Sequence, residues 1–144
     1  LVGRNINLLK IKIKKHKKYK KILKKINFFD EKDNLKSFYK NSNFVVLSSH
    51  AESFPNVVGE AMSYGIPVIS TNVGDVKNLI INKKLLVNFH TASNFCKALL
   101  YSTELYLKTK KYSFYCKRNR DLINEKFSEN IMFDKFDKLE KSLF

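Results

Sequence analysis

The chain has no tryptophan, only two cysteines and two prolines, and four glycines among its 144 residues. Cys96 and Cys116 are far apart and form no C-x-x-C pair, so neither a disulfide framework nor a thiolate metal site is indicated. Two free or buried thiols suit a reducing cytosol. The three histidines, His16, His50 and His90, show no metal-ligand spacing. There is no phosphate-binding P-loop and no serine nucleophile elbow. No apolar run approaches the roughly 20 residues of a membrane span. The N-terminus carries no uninterrupted apolar stretch of signal-peptide length, and no internal repeat is visible. Acidic residues are also scarce: 13 against 28 lysines and arginines, for a net charge of +15.

An apolar content of 44% is ordinary for a globular protein, and the length suits one domain with a buried core. Both prolines and three of the four glycines lie between Pro55 and Gly74, inside the stretch around which the chain is organised, residues 44–74. Phe44-Val45-Val46-Leu47 is a short, β-branched apolar run that reads as a buried strand. A polar loop follows, residues 48–56. Pro55 suits the first turn of a helix, where its missing N–H is not needed. Val57 stands above Ala61 and Val58 above Met62, the four-residue spacing of one helix face. Gly65 reads as a left-handed stop. Ile66-Pro67-Val68-Ile69 is a second apolar run, so the stretch predicts a parallel strand–loop–helix–strand crossover.

Ligands of open parallel sheets sit at the carboxyl ends of the strands, beside helix N-termini, and residues 48–56 occupy that place. Backbone N–H groups and the helix dipole there attract a phosphate or a polyhydroxylated sugar. Glu52 in the loop and Glu60 in the helix are acceptors for sugar hydroxyls. Gly59 costs about 1 kcal/mol against alanine inside a helix, which marks it as a point of close approach.

Glu52-Ser53-Phe54-Pro55-Asn56-Val57-Val58-Gly59-Glu60 resembles the glutamate, seven residues, glutamate motif of the retaining glycosyltransferases of family 4, also called group 1. Ala61 to Gly74 continues the pattern, giving about thirty positions in register, and weaker similarity runs from Leu1 to about Phe136. The resemblance implies an α/β fold: a Rossmann-like parallel sheet flanked by helices, the C-terminal domain of a two-domain GT-B architecture whose N-terminal domain is missing. Residues 1–126 would be a partial donor-binding domain, and 127–144 a C-terminal helix that packs back on the acceptor domain. Glu52 is implied as the catalytic glutamate that approaches the donor sugar and stabilises positive charge at its anomeric carbon. Glu60 is implied to hold the ribose hydroxyls. Ser53, Phe54, Pro55, Asn56 and Val57 would form the loop and first helical turn whose amides meet sugar and diphosphate.

The family uses no metal and no cofactor; its donor is an NDP-sugar, with UDP-sugars favoured. The acceptor would be a glycan or a lipid-linked glycan in polysaccharide or glycoconjugate biosynthesis. The enzyme would be cytoplasmic, with a peripheral place at the inner membrane face. Two departures are visible. Ser53 replaces the family's usual glycine, and Gly74-Asp75-Val76-Lys77-Asn78 replaces Gly-Gly-x-Pro-Glu. The resemblance also places the diphosphate-clamping arginine and lysine, and the acceptor domain, upstream of Leu1, so this stretch alone is not expected to catalyse transfer. The alternative is a truncated, non-catalytic remnant that binds an anionic membrane surface or a partner.

The remaining segments carry simpler expectations. Leu1-Val2-Gly3 reads as the end of a strand. Lys10, Lys12, Lys14, Lys15, Lys17, Lys18, Lys20, Lys21, Lys24 and Lys25 crowd one segment, with an apolar helical face expected from Tyr19 onward. A solvated helix is the preferred reading of that run, contact with anionic lipid the second. Nucleic acid is not expected as a partner, because no recognised motif accompanies the charge. Residues 26–29 read as a strand, with residues 29–31 near the nucleotide base by resemblance. Asp33 would cap a short helix through Lys40. Further elements are a helix at 75–81, a strand at 85–87 and a helix from Thr91 or Ser93 to Ser102, with Phe95, Ala98 and Leu99 inward. Residues 103–111 read as irregular. Helices are expected over 112–126 and from Ser128 onward. His50 stands two residues before Glu52; a partly exposed loop histidine is the preferred reading.

Overall fold

A computed structural model describes residues 1–53 and 55–143, the Lys20 side chain excepted. The chain forms two compact units, residues 1–37 and 38–144. The first contains α1 (Ile6–Lys15) and a 3-10 helix, Lys20–Lys25. Residues 26–29 form no strand of their own. A single parallel bridge joins Phe29 to Val2, with Phe29 N–H donating to the Leu1 carbonyl (2.8 Å) and Gly3 N–H to that of Phe29 (3.2 Å). The helix expected from Tyr19 onward is the 3-10 helix, with Tyr19 at its N-cap; the α-helix lies earlier, where Ile6, Leu9, Lys10 and Ile13 return at helical spacing. Ile6 is buried, and Lys10 and Ile13 are half-buried beneath it. Arg4 and Glu31 make an exposed ion pair at 2.9 Å, which holds the Glu31 carboxyl below its ordinary range.

α2 (Lys36–Lys40) comes next in the chain. Asn34, not Asp33, supports its start, accepting from Lys36 N–H at 2.9 Å. The second unit follows the order β1 (Val45–Leu47), α3 (Asn56–Ser63), β2 (Val68–Thr71), α4 (Val76–Leu79), β3 (Leu86–Val87), α5 (Ala92–Leu107), α6 (Thr109–Phe127) and α7 (Glu129–Leu143). A 3-10 turn, Lys83–Leu85, leads into β3. The sheet is fully parallel in the order β1-β2-β3, with Val45 opposite Val68 and Ser70 opposite Leu86. All four residues of central β2 are buried, as expected of a parallel strand covered on both faces.

The β2 start is displaced from Ile66 to Val68 for a reason in the backbone. Gly65 adopts φ +77°. Its N–H donates to Met62, and that of Ile66 donates to Ala61, at 2.8 and 2.9 Å. This paired closure ends α3 and takes Ile66 out of the strand. A β-carbon at Gly65 would also sit 2.9 Å from the Cys116 carbonyl oxygen, so α6 needs glycine there. Met62, Ile69, Leu79, Leu85 and Leu105 are the largest side chains shut away from solvent.

α5 and α6 replace the irregular stretch expected at 103–111, with only Lys108 between them. Thr91 caps α5, its hydroxyl accepting from Asn94 N–H. The buried stripe of α5 is Ala98, Ser102 and Leu105; Leu99 lies one position round and is exposed. Ser102 is tolerated inside because its hydroxyl donates to the Leu99 carbonyl at 2.7 Å. α6 is tied to the segments entering two strands. Tyr112 O–H donates to the Asn43 carbonyl (2.7 Å), and buried Asn119 donates to that of Ile66 (3.2 Å). These ties lie at the amino ends of β1 and β2, leaving the carboxyl ends for other use. α7 begins after Ser128 as expected, with no buried residue. Among the described residues, no helix is long and apolar enough to cross a membrane.

Candidate functional site at the carboxyl end of the sheet

The loop that leaves β1 carries Glu52 and Ser53, and α3 follows at once with Asn56, Val57 and Glu60. Pro55 is buried at its N-cap, and its carbonyl accepts from Val58 N–H at 2.8 Å. Phe54, expected in the same turn, lies outside the described residues. The first N–H groups of such a helix have no partner within the helix, and its dipole adds partial positive charge. Glu52 is half-buried and Glu60 exposed. One loop–helix joint therefore holds both carboxylates and the turn between them.

The loop is held from outside. Thr71 at the end of β2 donates its hydroxyl hydrogen to the Ser49 carbonyl at 2.6 Å. His90, beyond the end of β3, donates from Nε2 to the Ser48 carbonyl at 2.8 Å. Its ring packs tilted against His50 at a centroid distance of 3.8 Å and meets Phe95 edge to face. Gly74, at φ +51°, backs the loop so closely that a β-carbon would overlap the Glu52 and Ser53 carbonyl oxygens. All three parallel strands thus contribute to fixing the segment that carries Glu52.

Glu60 is held by Tyr39, whose hydroxyl donates to Oε2 at 2.9 Å. Burial first, and then the Glu60 carboxylate, push the Tyr39 phenol well above its ordinary range. It therefore stays a donor throughout neutral pH. Beside Glu60 lies a groove of about 280 Å³ lined by Asn56, Gly59, Glu60, Ser63, Ile123 and Phe127. Among the described residues, a β-carbon on Gly59 would meet nothing within 4 Å, so this glycine opens space instead of relieving strain.

The sequence singled out both glutamates but none of their supports. Neither Tyr39 nor His90 carries a signal in the sequence that points to this site. Only their tertiary placement marks them. His50 is exposed and packs tilted against His90, and Glu31 is paired with Arg4. Among the described residues, no cluster of three or more His, Cys, Asp or Glu could hold a metal ion.

The family model for glycosyl transferases group 1 matches residues 8–119, most of the chain. The chain belongs to this family. Among curated relatives, the D-inositol 3-phosphate glycosyltransferase of Paenarthrobacter aurescens is 37% identical over 67 residues, covering 45% of this chain and 16% of that protein. The capsular polysaccharide biosynthesis glycosyltransferase CapM of Staphylococcus aureus is 29% identical over 104 residues, covering 72% and 27%. Two solved structures share the fold. A glycosyltransferase from Rickettsia africae superposes with a TM-score of 0.82 at 22% identity, over 98% of this chain and 38% of that one. Sucrose-phosphate synthase from Thermosynechococcus elongatus gives 0.78 at 23%, over 100% and 38%. The Rossmann-like fold of a group 1 enzyme is therefore established, while the chain spans well under half the length of each of these proteins.

Proposed function

We propose that this chain is the nucleotide-sugar-binding portion of a retaining glycosyltransferase. In this reading a sugar passes from an NDP-sugar, a UDP-sugar by preference, to a glycan or lipid-linked acceptor. The observation that carries it is the joint itself. Glu52 and Glu60, spaced as in the group 1 motif, flank a helix N-terminus at the carboxyl end of a parallel strand. Glu60, oriented by Tyr39, accepts hydrogen bonds from the ribose hydroxyls through the groove at Gly59. The turn of Ser53, Phe54 and Pro55 approaches sugar and diphosphate, with the N–H groups of Asn56 and Val57 aimed at the phosphates. Glu52 positions the sugar and stabilises positive charge at the anomeric carbon as the leaving diphosphate departs. The transfer proceeds on one face without a protein nucleophile, and neither metal nor cofactor is required.

Calorimetric titration of the intact protein with UDP, GDP and their sugar conjugates tests the reading. One nucleotide should bind, its sugar conjugate more tightly. Glu60→Gln should weaken binding about tenfold or more, since a hydrogen bond to a charged group is worth about 1.5–3 kcal/mol. A folded sample that binds no nucleotide overturns the donor reading. Unchanged affinity in Glu60→Gln overturns the ribose contact alone.

A further inference from the structure

Glu52 and Glu60 are steadied by different side chains. Tyr39, from α2, grips the Glu60 carboxylate, and its own ring stacks on Tyr64. The Glu52 loop is gripped from the far edge of the sheet. β2 lies between β1 and β3, yet His90 bridges the two, reaching from the turn after β3 to the Ser48 carbonyl just after β1. A carbonyl can only accept, so Nε2 carries the hydrogen. The same ring packs against His50, and Thr71 holds the residue between, Ser49. Residues 48, 49 and 50 are thus each held, and Gly74 backs the Glu52 and Ser53 carbonyls. The turn that carries His90 is fixed in its turn. Asn88 Oδ1 accepts from Asn72 Nδ2 at 3.0 Å. The Phe89 carbonyl accepts from Thr91 N–H at 2.7 Å and from Asn94 Nδ2 at 3.2 Å.

A solvated loop histidine has no need of these ties, and one that only capped its own turn would donate within that turn. His90 donates across the sheet, to the segment that leads into Glu52. We infer that His90 is a positioning residue for Glu52, governing recognition of the donor's sugar while recognition of the nucleotide is left to Glu60 and Tyr39. A carboxylate that must meet particular sugar hydroxyls loses its aim when its loop shifts by about an ångström. Because the two supports differ, each half of the site can be loosened alone. The assignment to the sugar rests on the donor reading; the clasp around residues 48–50 does not.

Three variants of the full chain test it. His90→Phe keeps an aromatic ring against His50 and Phe95 but has no N–H to give. His90→Gln restores a donor, with an amide nitrogen in place of Nε2. Tyr39→Phe releases the other carboxylate. In the ligand-free protein, NMR order parameters of the backbone amides of residues 49–53 should fall in His90→Phe and recover in His90→Gln, while those of α3 stay as in the parent. Calorimetry then compares UDP with UDP-glucose and GDP with GDP-mannose. His90→Phe should weaken the sugar conjugate about fivefold, the size of one lost neutral hydrogen bond, and leave the nucleotide unchanged. His90→Gln should recover most of that loss. Tyr39→Phe should weaken nucleotide and conjugate alike. Order parameters unmoved in His90→Phe overturn the inference, and so does an equal loss of nucleotide and conjugate in that variant. If the folded parent binds neither nucleotide, the donor reading fails and the sugar assignment with it, while the order parameters still decide the clasp.

Discussion

The two units of this chain are built on opposite principles. Residues 38–144 close around β2, which is buried along its whole length, while α5, α6 and α7 each keep large apolar residues exposed, Leu100, Phe114 and Phe136 among them. Among the described residues, the stretch 1–37 has one buried hydrophobic residue, Ile6, one bridge and one exposed ion pair. The sequence of the second unit encodes a core and a site; that of the first encodes a charged surface. The contrast teaches that lysine abundance in this chain is local in its consequences. Both site carboxylates lie on the strand–loop–helix joint, outside the lysine-rich stretch of the first unit.

Core truncation should expose the contrast most sharply. Leu105→Ala, at a side chain 1% exposed, should cost about 2–5 kcal/mol in urea unfolding, whereas Leu8→Ala should stay within about 0.5 kcal/mol of the parent. Comparable losses would abolish the distinction between the units. Gly74→Ala comes next. Left-handed backbone alone costs a non-glycine residue about 1–2 kcal/mol, and the added carbon also displaces the Glu52 and Ser53 carbonyls. Nucleotide-sugar affinity should therefore fall together with stability, a coupling that Leu105→Ala should show far less.

A smaller effect sharpens the comparison from within the second unit. Burial, followed by the Cys116 thiol, pushes the Tyr112 phenol up to about 12, and Tyr39 is raised further by burial and Glu60. A raised folded pKa means that both contribute stability fully below the ordinary tyrosine value of about 10. That stability is lost as pH climbs beyond it, for Tyr112 through about 12. Alkaline unfolding should become less steep above pH 10 in Tyr39→Phe and Tyr112→Phe, while the neutral-pH fold remains. Unaltered steepness in both variants would show that the phenols do not couple to folding. The smallest effect belongs to Arg4→Ala. Its fully exposed pair with Glu31 should leave the urea midpoint unmoved, and a clear shift would mean that the first unit is stabilised by that contact.

Much of the second unit was legible because its punctuation is sparse and well placed. Pro55, Gly65 and Pro67 bracket α3 and β2, and only one reading of that spacing builds a parallel crossover. The two-residue error at the β2 start came from the closure at Gly65, a backbone event that the apolar pattern of Ile66 does not reveal. Leu99 was misplaced because Ser102, a polar residue that satisfies its own hydroxyl, holds the inward position. Residues 26–29 have the composition of a strand, but among them only Phe29 forms a β-bridge, with Val2. In α1, lysine and isoleucine alternate so densely that the helical period is hidden until burial separates Ile6 from Leu8. At the site, the glutamates were legible as a motif. The Tyr39 and His90 supports were not, since they come from positions distant in sequence.

Gly59 has a last consequence, which rests on the donor reading. Alanine inside a helix is favoured over glycine by about 1 kcal/mol, and among the described residues nothing outside the helix's own backbone opposes a methyl group at this position. A steadier α3 is thus one substitution away, and what the methyl group would meet is the guest in the groove. Gly59→Ala should therefore melt higher yet refuse the natural donor, while a donor analogue trimmed at its ribose fits the narrowed space: a lock recut by one carbon, with α3 made firmer in the process.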